Sequence, residues 1–374
     1  MKACLSEIAE FITDGTHGSP ERTEIGVPVL SAQNVTGGTL SYSTGRYTSE
    51  AEYQAFKKRL DISIGDVLLT IVGSIGRAAV VSEKRPAVFQ RSVAVIRPKQ
   101  QVADSAYLLH LFNSSYFQSE LYRNSNQSSQ AGVYLGRLGS IEIPLPPLEE
   151  QRRIAAILDK TAEISSANRQ RKDLLRALPL SVYRQMLGDP RHNPFQWPVF
   201  RLGEICLNED ARRVPVKSSD RKAMQGQFPY YGASGVIDHV DDYLFDGQRL
   251  LVGEDGANLI ARSSPIAFIA DGKYWVNNHA HVLSENGRAK LRFLEYYFAL
   301  VDLKPFVTGS AQPKLTRSAL DSLTVPLPPL DLQERFESVL TALDAMFAQA
   351  EISAQQTSSL SYALRSASFQ GDAG

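Results

Sequence analysis

The sequence predicts an α+β protein: two similar α/β domains separated by two long helices that form an antiparallel coiled coil, the whole a pseudo-twofold internal repeat. Three observations predict it. The phrase IPLPPLEEQRRIAAIL at Ile143 returns as VPLPPLDLQERFESVL at Val325, close to half the chain away, and a repeat of this kind signals a duplicated architecture. Each phrase ends a block of short apolar runs bounded by turn residues and opens a polar stretch with helical spacing. A chain of 374 residues, 43% hydrophobic and 21% charged, has material for two ordinary cores.

The first domain is predicted over 1–146, the first helix over 147–190, the second domain over 191–328 and the second helix over 329–374. In the first domain GVPVLSAQNV at Gly26, GDVLLTIVG at Gly65 and SVAVIRP at Ser92 read as strands, and SAYLLHLFNSSYFQSELYRN at Ser105 as a helix. The second repeats the plan, with RLLVGEDGANLI, SPIAFIAD and WVNNHAHVL as strands and AKLRFLEYYFALVDL as a helix. Both open alike, with CLSEIAEF at Cys4 and RLGEICLN at Arg201, and both carry a glycine-led strand that runs into a glycine turn.

Pro144, Pro146 and Pro147, then Pro326, Pro328 and Pro329, force an extended connector, because proline lacks the N–H that helix and ladder need. A helix starts readily after such a turn, and Glu149 and Glu150 suit the positive end of its dipole. Three-four spacing of Ile154, Ile157, Thr161, Ile164, Asn168, Arg171, Leu175 and Leu178 predicts a seam, apolar at both ends and polar in the middle. Pro179 is expected to end or kink this helix. About 30 residues at ~1.5 Å each make a rod of roughly 45 Å. The second seam is Phe336, Val339, Leu343, Met346, Ala350, Ser353, Thr357, Leu360 and Leu364. Antiparallel pairing sets Asn168 and Arg171 at the depth of Ser353 and Thr357, where polar residues can fix register.

Net charge is zero, whereas phosphate neutralisation usually makes a free-standing nucleic-acid binder basic. Two cysteines, Cys4 and Cys206, exclude a disulfide framework or a four-cysteine zinc site. No apolar leader or membrane-length run occurs, so the expected location is the cytoplasm. Walker A, G-x-G-x-x-G, G-x-S-x-G and amino-methyltransferase D/N-P-P-Y/F motifs are missing. HAH at His279 and His281 sets two rings on one strand face, and GEDGAN offers Glu254 and Asp255. A metal-dependent nuclease is therefore the rival reading, against a packed histidine pair and a polar hairpin tip.

Domain, connector, helix, domain, connector, helix: that order resembles the specificity subunit of type I restriction–modification systems over nearly the whole chain. Its most specific elements are the two proline connectors. DGTHGSP at Asp14, GVPVLSAQNV, GDVLLTIVGSIGR, FPYYGASGVID at Phe228 and GQRLLVGEDGANL at Gly247 support it. The resemblance implies two target recognition domains, each reading one half of an asymmetric bipartite site in double-stranded DNA, with the helices setting the gap. It implies a chain without catalysis that scaffolds DNA methyltransferase subunits, two of them, and restriction/translocase subunits. No cofactor is expected in this chain; S-adenosylmethionine, ATP and Mg belong on those partners. An adaptor of another DNA-defence complex is a further alternative.

Within that resemblance, loop side chains suited to base edges become candidates, since Asn and Gln pair with adenine and Arg with guanine. In the first domain these are Thr16, His17, Gln33, Asn34, Ser74, Arg77, Gln90, Arg91, Gln127 and Gln130. In the second they are Tyr230, Tyr231, Ser234, Asn258, Asn277, Asn278, Gln312 and Lys314. Arg46, Lys57, Lys58 and Arg59, with Arg212, Arg213, Lys217, Arg221 and Lys222, are candidates for phosphates. Arg152, Arg153, Lys160, Arg169 and Lys172 offer helix surfaces for docking.

Overall fold

A four-stranded antiparallel sheet organises each half of the chain. In the first half its order is Ala9–Asp14, Val93–Pro98, Val67–Thr70, Ala78–Val80, and in the second Cys206–Asn208, Ala280–Glu285, Arg249–Gly253, Ala267–Ala270. The central strands, VAVIRP and VLLT, are buried on both faces, so they read as continuous apolar runs rather than alternating ones. A second sheet accompanies each, three-stranded in the first half and four-stranded in the second. Val27–Leu30 pairs in parallel with Val88–Phe89, as the strand Gln225–Gly232 does with Lys273–Val276. The computed structural model describes residues 1–126, 132–309 and 312–369. They form two units, Met1–Arg169 with Ile352–Gly374, and Gln170–Glu351.

Each domain is closed where its connector begins. Lys2–Cys4 pairs with Glu142–Pro144, and Val199–Arg201 with Thr324–Pro326. Tyr107 donates its hydroxyl hydrogen bond to the Pro144 carbonyl at 2.8 Å, and Tyr297 donates to that of Thr324 at 3.0 Å.

The two long helices are Leu148–Leu187 and Leu330–Phe369, 40 residues each. The first continues through Pro179 for two more turns instead of ending there. Leu180, Val182, Tyr183, Met186 and Leu187 pack into the second unit's core, and that burial outweighs the backbone hydrogen bond proline removes. Within each unit the helices run antiparallel. In the first, Ala155 and Leu158 share a core with Phe369, while Asn168 donates to Thr357 Oγ1 at 3.1 Å and Ser353 Oγ at 3.4 Å. In the second, Lys172 bonds Glu351 at 2.9 Å, and Tyr183 stacks edge-on against Phe336.

The buried stripe departs from the predicted seam. Ile157 (38% exposed), Ile164 (42%), Val339 (37%), Met346 (47%) and Leu360 (53%) face outward. The inward positions fall one residue later, at Leu158, Ser165, Leu340, Phe347 and Ser361. Ile154, Asn168, Leu175, Phe336 and Leu343 do lie inward. Arg171 points out and Lys172 takes its place. The predicted spacing meets the buried stripe at the shared positions and runs one residue early between them: Leu158, Leu340 and Phe347 are as apolar as the neighbours chosen, so periodicity alone does not separate them, and Ser165 and Ser361 carry no apolar signal.

Gln151 and Gln333, at the same place in both repeated phrases, are fully buried. Gln151 accepts from Asp104 N and donates to the carbonyls of Val102 and Pro146, each at 2.9 Å. Gln333 accepts from Lys290 N at 2.9 Å and donates to Pro328 O at 2.9 Å and Arg288 O at 3.3 Å. Asp104 and Lys290 are themselves the N-cap residues of the internal helices Ser105–Phe112 and Leu291–Leu300. One amide thus joins the start of each long helix to its connector and its domain. Replacing Gln151 by Ala leaves a buried N–H and two carbonyls unpaired. The expected loss is about 2–4 kcal/mol of stability in the first unit, read by thermal unfolding and by faster hydrogen exchange at the Asp104 amide.

Candidate nucleic-acid interface

Five loops of the first unit meet at one edge, joined mainly by backbone bonds. Thr16 N donates to Phe89 O at 2.6 Å, Gln90 N to Leu30 O at 2.9 Å, and Ile71 N to Ser92 O at 2.9 Å. Ser92 Oγ accepts from Ala32 N, and Val72 bridges Gly132. Gly15 makes the closest approach: a Cβ there would stand 2.2 Å from Phe89 O. Thr16, His17, Gln33, Ser74, Arg77, Gln90 and Arg91 are all drawn to this edge, with His17, Gln33, Ser74, Arg77 and Arg91 exposed. Gln127 and Gln130 lie outside the described residues.

The second unit repeats the backbone scheme. Glu254 N donates to His279 O as Ile71 N does to Ser92 O, and Leu315 N donates to Glu254 O as Val133 N does to Ile71 O. Asp255 bridges Lys314 where Val72 bridges Gly132. These bonds are blind to side-chain identity, so one framework presents different chemistry in each copy. Tyr231, Ser234, Asn277, Asn278, Gln312 and Lys314 gather here, with Ser234, Asn278, Gln312 and Lys314 exposed.

Beneath the second edge lies a charged cluster. Glu254 is bonded by Arg213 at 2.7 Å and Lys314 at 3.0 Å, and Arg213 also reaches Asp210 at 3.3 Å. Buried His281 sets Nδ1 against Asp210 at 2.6 Å and Nε2 against the Leu315 carbonyl at 2.8 Å. Burial pushes the Glu254 and Asp210 carboxyls up, but their cationic and hydrogen-bonding partners outweigh it and hold both below the ordinary carboxylate range. Asp210, Glu254 and His281 place ligand atoms within 4.8 Å of one another. Their lone pairs already face Arg213, Lys314 and each other, and both ring nitrogens of His281 are engaged. The expectation that His279 and His281 act as a pair is corrected: His279 is exposed and bonds Asp255 at 2.8 Å, while His281 belongs to the buried cluster.

Four candidates are occupied internally and are corrected accordingly. Asn34 donates to the carbonyls of Ser41 and Ser43 and accepts from Ser31 N, so its amide builds its own loop. Tyr230 is buried and its hydroxyl accepts from Val216 N. Asn258 donates to Ser264 O and accepts from Ser264 N. Asn277 is buried too, its Oδ1 accepting from His279 N. Among the phosphate candidates, Arg212, Arg213 and Arg221 are paired with Glu209, Glu254 and Asp238. Sequence reading missed Asp210 and both buried glutamines, although the glutamine recurs at the same place in both phrases.

Two like domains, each presenting a polar edge of converging loops and each leading into a long helix, define a duplicated recognition scaffold. The profile described as "Type I restriction modification DNA specificity domain" matches residues 1–177 and 194–356. The chain belongs to that family. A Haemophilus influenzae protein carrying the name of a type I restriction enzyme specificity subunit is 40% identical over 147 residues, covering 39% of this chain and 37% of that one. The MjaX specificity subunit of Methanocaldococcus jannaschii is 25% identical over 372 residues, covering 91% of this chain and 85% of its own. The crystal structure of the S subunit of the M. genitalium type I restriction–modification system has the same fold, with a TM-score of 0.61 at 15% identity, covering 99% and 96% of the two chains. No helix among the described residues is long and apolar enough to cross a membrane.

Gly15→Ala is expected to push the 14–18 loop off Phe89 and cost about 1–3 kcal/mol by overpacking, with faster exchange of the Thr16 amide as the direct readout. The depressed carboxyls of Asp210 and Glu254 stabilise the folded second unit above the unfolded carboxylate range. That contribution is lost as pH falls through their folded values. Glu254→Gln should therefore flatten the acid limb of the thermal-unfolding profile.

Proposed function

We propose that this chain is the non-catalytic DNA-reading subunit of a type I restriction–modification complex, each domain reading one half of an asymmetric bipartite site. The observation that carries the reading is the duplicated edge: one backbone framework, two different sets of exposed polar side chains. Direct readout needs such donors and acceptors on a rigid support. The helices act as spacer and as platform for two methyltransferase subunits and for restriction/translocase subunits, with S-adenosylmethionine, ATP and Mg held on those partners. The chain works in the cytoplasm, where its DNA is.

A second reading, a metal-dependent nuclease, is favoured only by the proximity of Asp210, Glu254 and His281. Mg-dependent cleavage by the purified chain alone would establish it. Against it stand Arg213 and Lys314, which already neutralise the carboxylates.

Mapping methylation in the genome of a host that expresses the chain with its partners tests the main reading; the expected outcome is a split adenine-methylation motif. Exchanging residues 1–146 for another recognition domain is expected to alter one half of that motif only, and a change in both halves would contradict independent reading. Adding one heptad to both long helices lengthens the spacer by ~10 Å, about three base pairs. The selected gap should widen accordingly with both half-sites unchanged.

A further inference from the structure

We propose that Lys314 reads a guanine in the half-site of the second domain, and that Glu254 and the buried charges beneath it position Lys314 for that task. This rests on the DNA-reading function proposed above and names the base chemistry of one edge.

The two domains share a backbone framework, which makes their differences informative. At the framework position where the second domain has Glu254, defined by matching bonds to Ser92 and Val133 in one copy and His279 and Leu315 in the other, the first domain has buried Ile71. Where the second has His281, paired with Val252, the first has Ala94, paired with Leu69. Where the second has Lys314, bridged to Asp255, the first has Gly132, bridged to Val72. An apolar filling therefore suffices at these three positions, while Asp14, buried and opposite Ala94, makes a carboxylate beneath the edge common to both copies. A buried ion cluster in its place is a poor stabiliser, because desolvation takes back most of the Coulombic gain. The addition of Glu254 and His281 in one copy calls for an account other than folding.

The geometry supplies one. Arg213 donates to Glu254 Oε2 at 2.7 Å, and Lys314 lies against the other oxygen, Oε1, at 3.0 Å. Glu254 is thus clamped from below and holds the Lys314 ammonium from above, while the Lys314 side chain stays 49% exposed. An ammonium has three N–H donors. One is directed to Glu254, which leaves two for solvent-side acceptors. Guanine is the base that offers two adjacent acceptors, O6 and N7, in the major groove, and lysine is among the side chains that take both. A tethered ammonium also has less freedom to lose on binding than an unrestrained one. Arg213, Asp210 and His281 act through Glu254 and are positioning residues; Lys314 alone makes the contact.

The test is selection from a randomised duplex pool by the full chain, isolated in the complex it forms in its host, at one stated salt concentration. Wild type, Lys314→Gln, Lys314→Arg and Glu254→Gln are compared. For Lys314→Gln we expect a roughly tenfold to hundredfold loss of preference for guanine at one position of one half-site, with every other position and the gap retained. Lys314→Arg should keep the guanine, and Glu254→Gln should relax the same position. Lys314 is a half-exposed side chain, so its variants carry the test even where Glu254→Gln lowers stability. An unchanged motif in Lys314→Gln overturns the inference. So does a uniform weakening on all sequences with a shallower salt dependence, which would make Lys314 a phosphate contact. A wild-type complex without any sequence preference would instead remove the DNA-reading function itself, and this inference with it.

Discussion

A single buried amide, used twice, sets how each long helix leaves its domain. Gln151 and Gln333 are excluded from water, and each satisfies its donors and acceptor on two pieces of chain: the connector, and the loop that leads into the internal helix and ends at that helix's N-cap residue. Polar groups in a low-dielectric interior must find these partners or cost several kcal/mol. The amide therefore tolerates one arrangement of helix start against domain. Apolar packing alone is non-directional and would permit several. The proline connector adds to this constraint, since its fixed φ angles leave little freedom between the closing strand and the first helical turn.

The same contrast between directional and permissive forces divides each domain into frame and edge. The four-stranded sheet and its matching backbone bonds recur in both copies with little regard for side chains. On top of that frame the edge residues differ: Gln33, Arg77, Gln90 and Arg91 in one copy, Asn278, His279, Gln312 and Lys314 in the other. Backbone hydrogen bonding makes such variation tolerable, because a ladder bond depends on strand register and not on the residue that occupies it. A frame of this kind can carry many edges without losing its fold. Glu254 and His281, where the first copy has Ile71 and Ala94, are the exception, since there the variation reaches below the surface.

Between the two apolar ends of the long helices, polarity replaces hydrophobic burial. Asn168 reaches Ser353 and Thr357, and Lys172 reaches Glu351. Bonds of this sort cost stability relative to leucines but fix register, since a slip of one position would strand them. Small residues such as Ser165 and Ser361 accompany them on the inward face. The cation–π contacts of Lys172 and Arg176 with Phe347 cover the seam of the second unit from outside.

The sequence by itself determined the duplication, the order of domains and helices, the central strands and one internal helical stretch of each domain, and the pairing of Asn168 with Ser353 and Thr357. Those features rest on local chemistry, in proline's missing donor, glycine's turns and apolar periodicity, and a linear reading captures them. Tertiary structure decided the rest. Whether Asn34 and Asn258 face outward or brace their own loops depends on which carbonyls lie nearby in space. Ile157 and Ile164 read as seam residues because they are apolar, but the approach of the partner helix turned Leu158 and Ser165 inward instead. Pro179 sits inside a helix because the packing of the five apolar residues that follow outweighs its local preference. Glu254 meets Arg213 and Lys314, 41 and 60 positions away in sequence, a contact that only the folded sheet creates; no periodicity or motif encodes which distant charges will share one buried site.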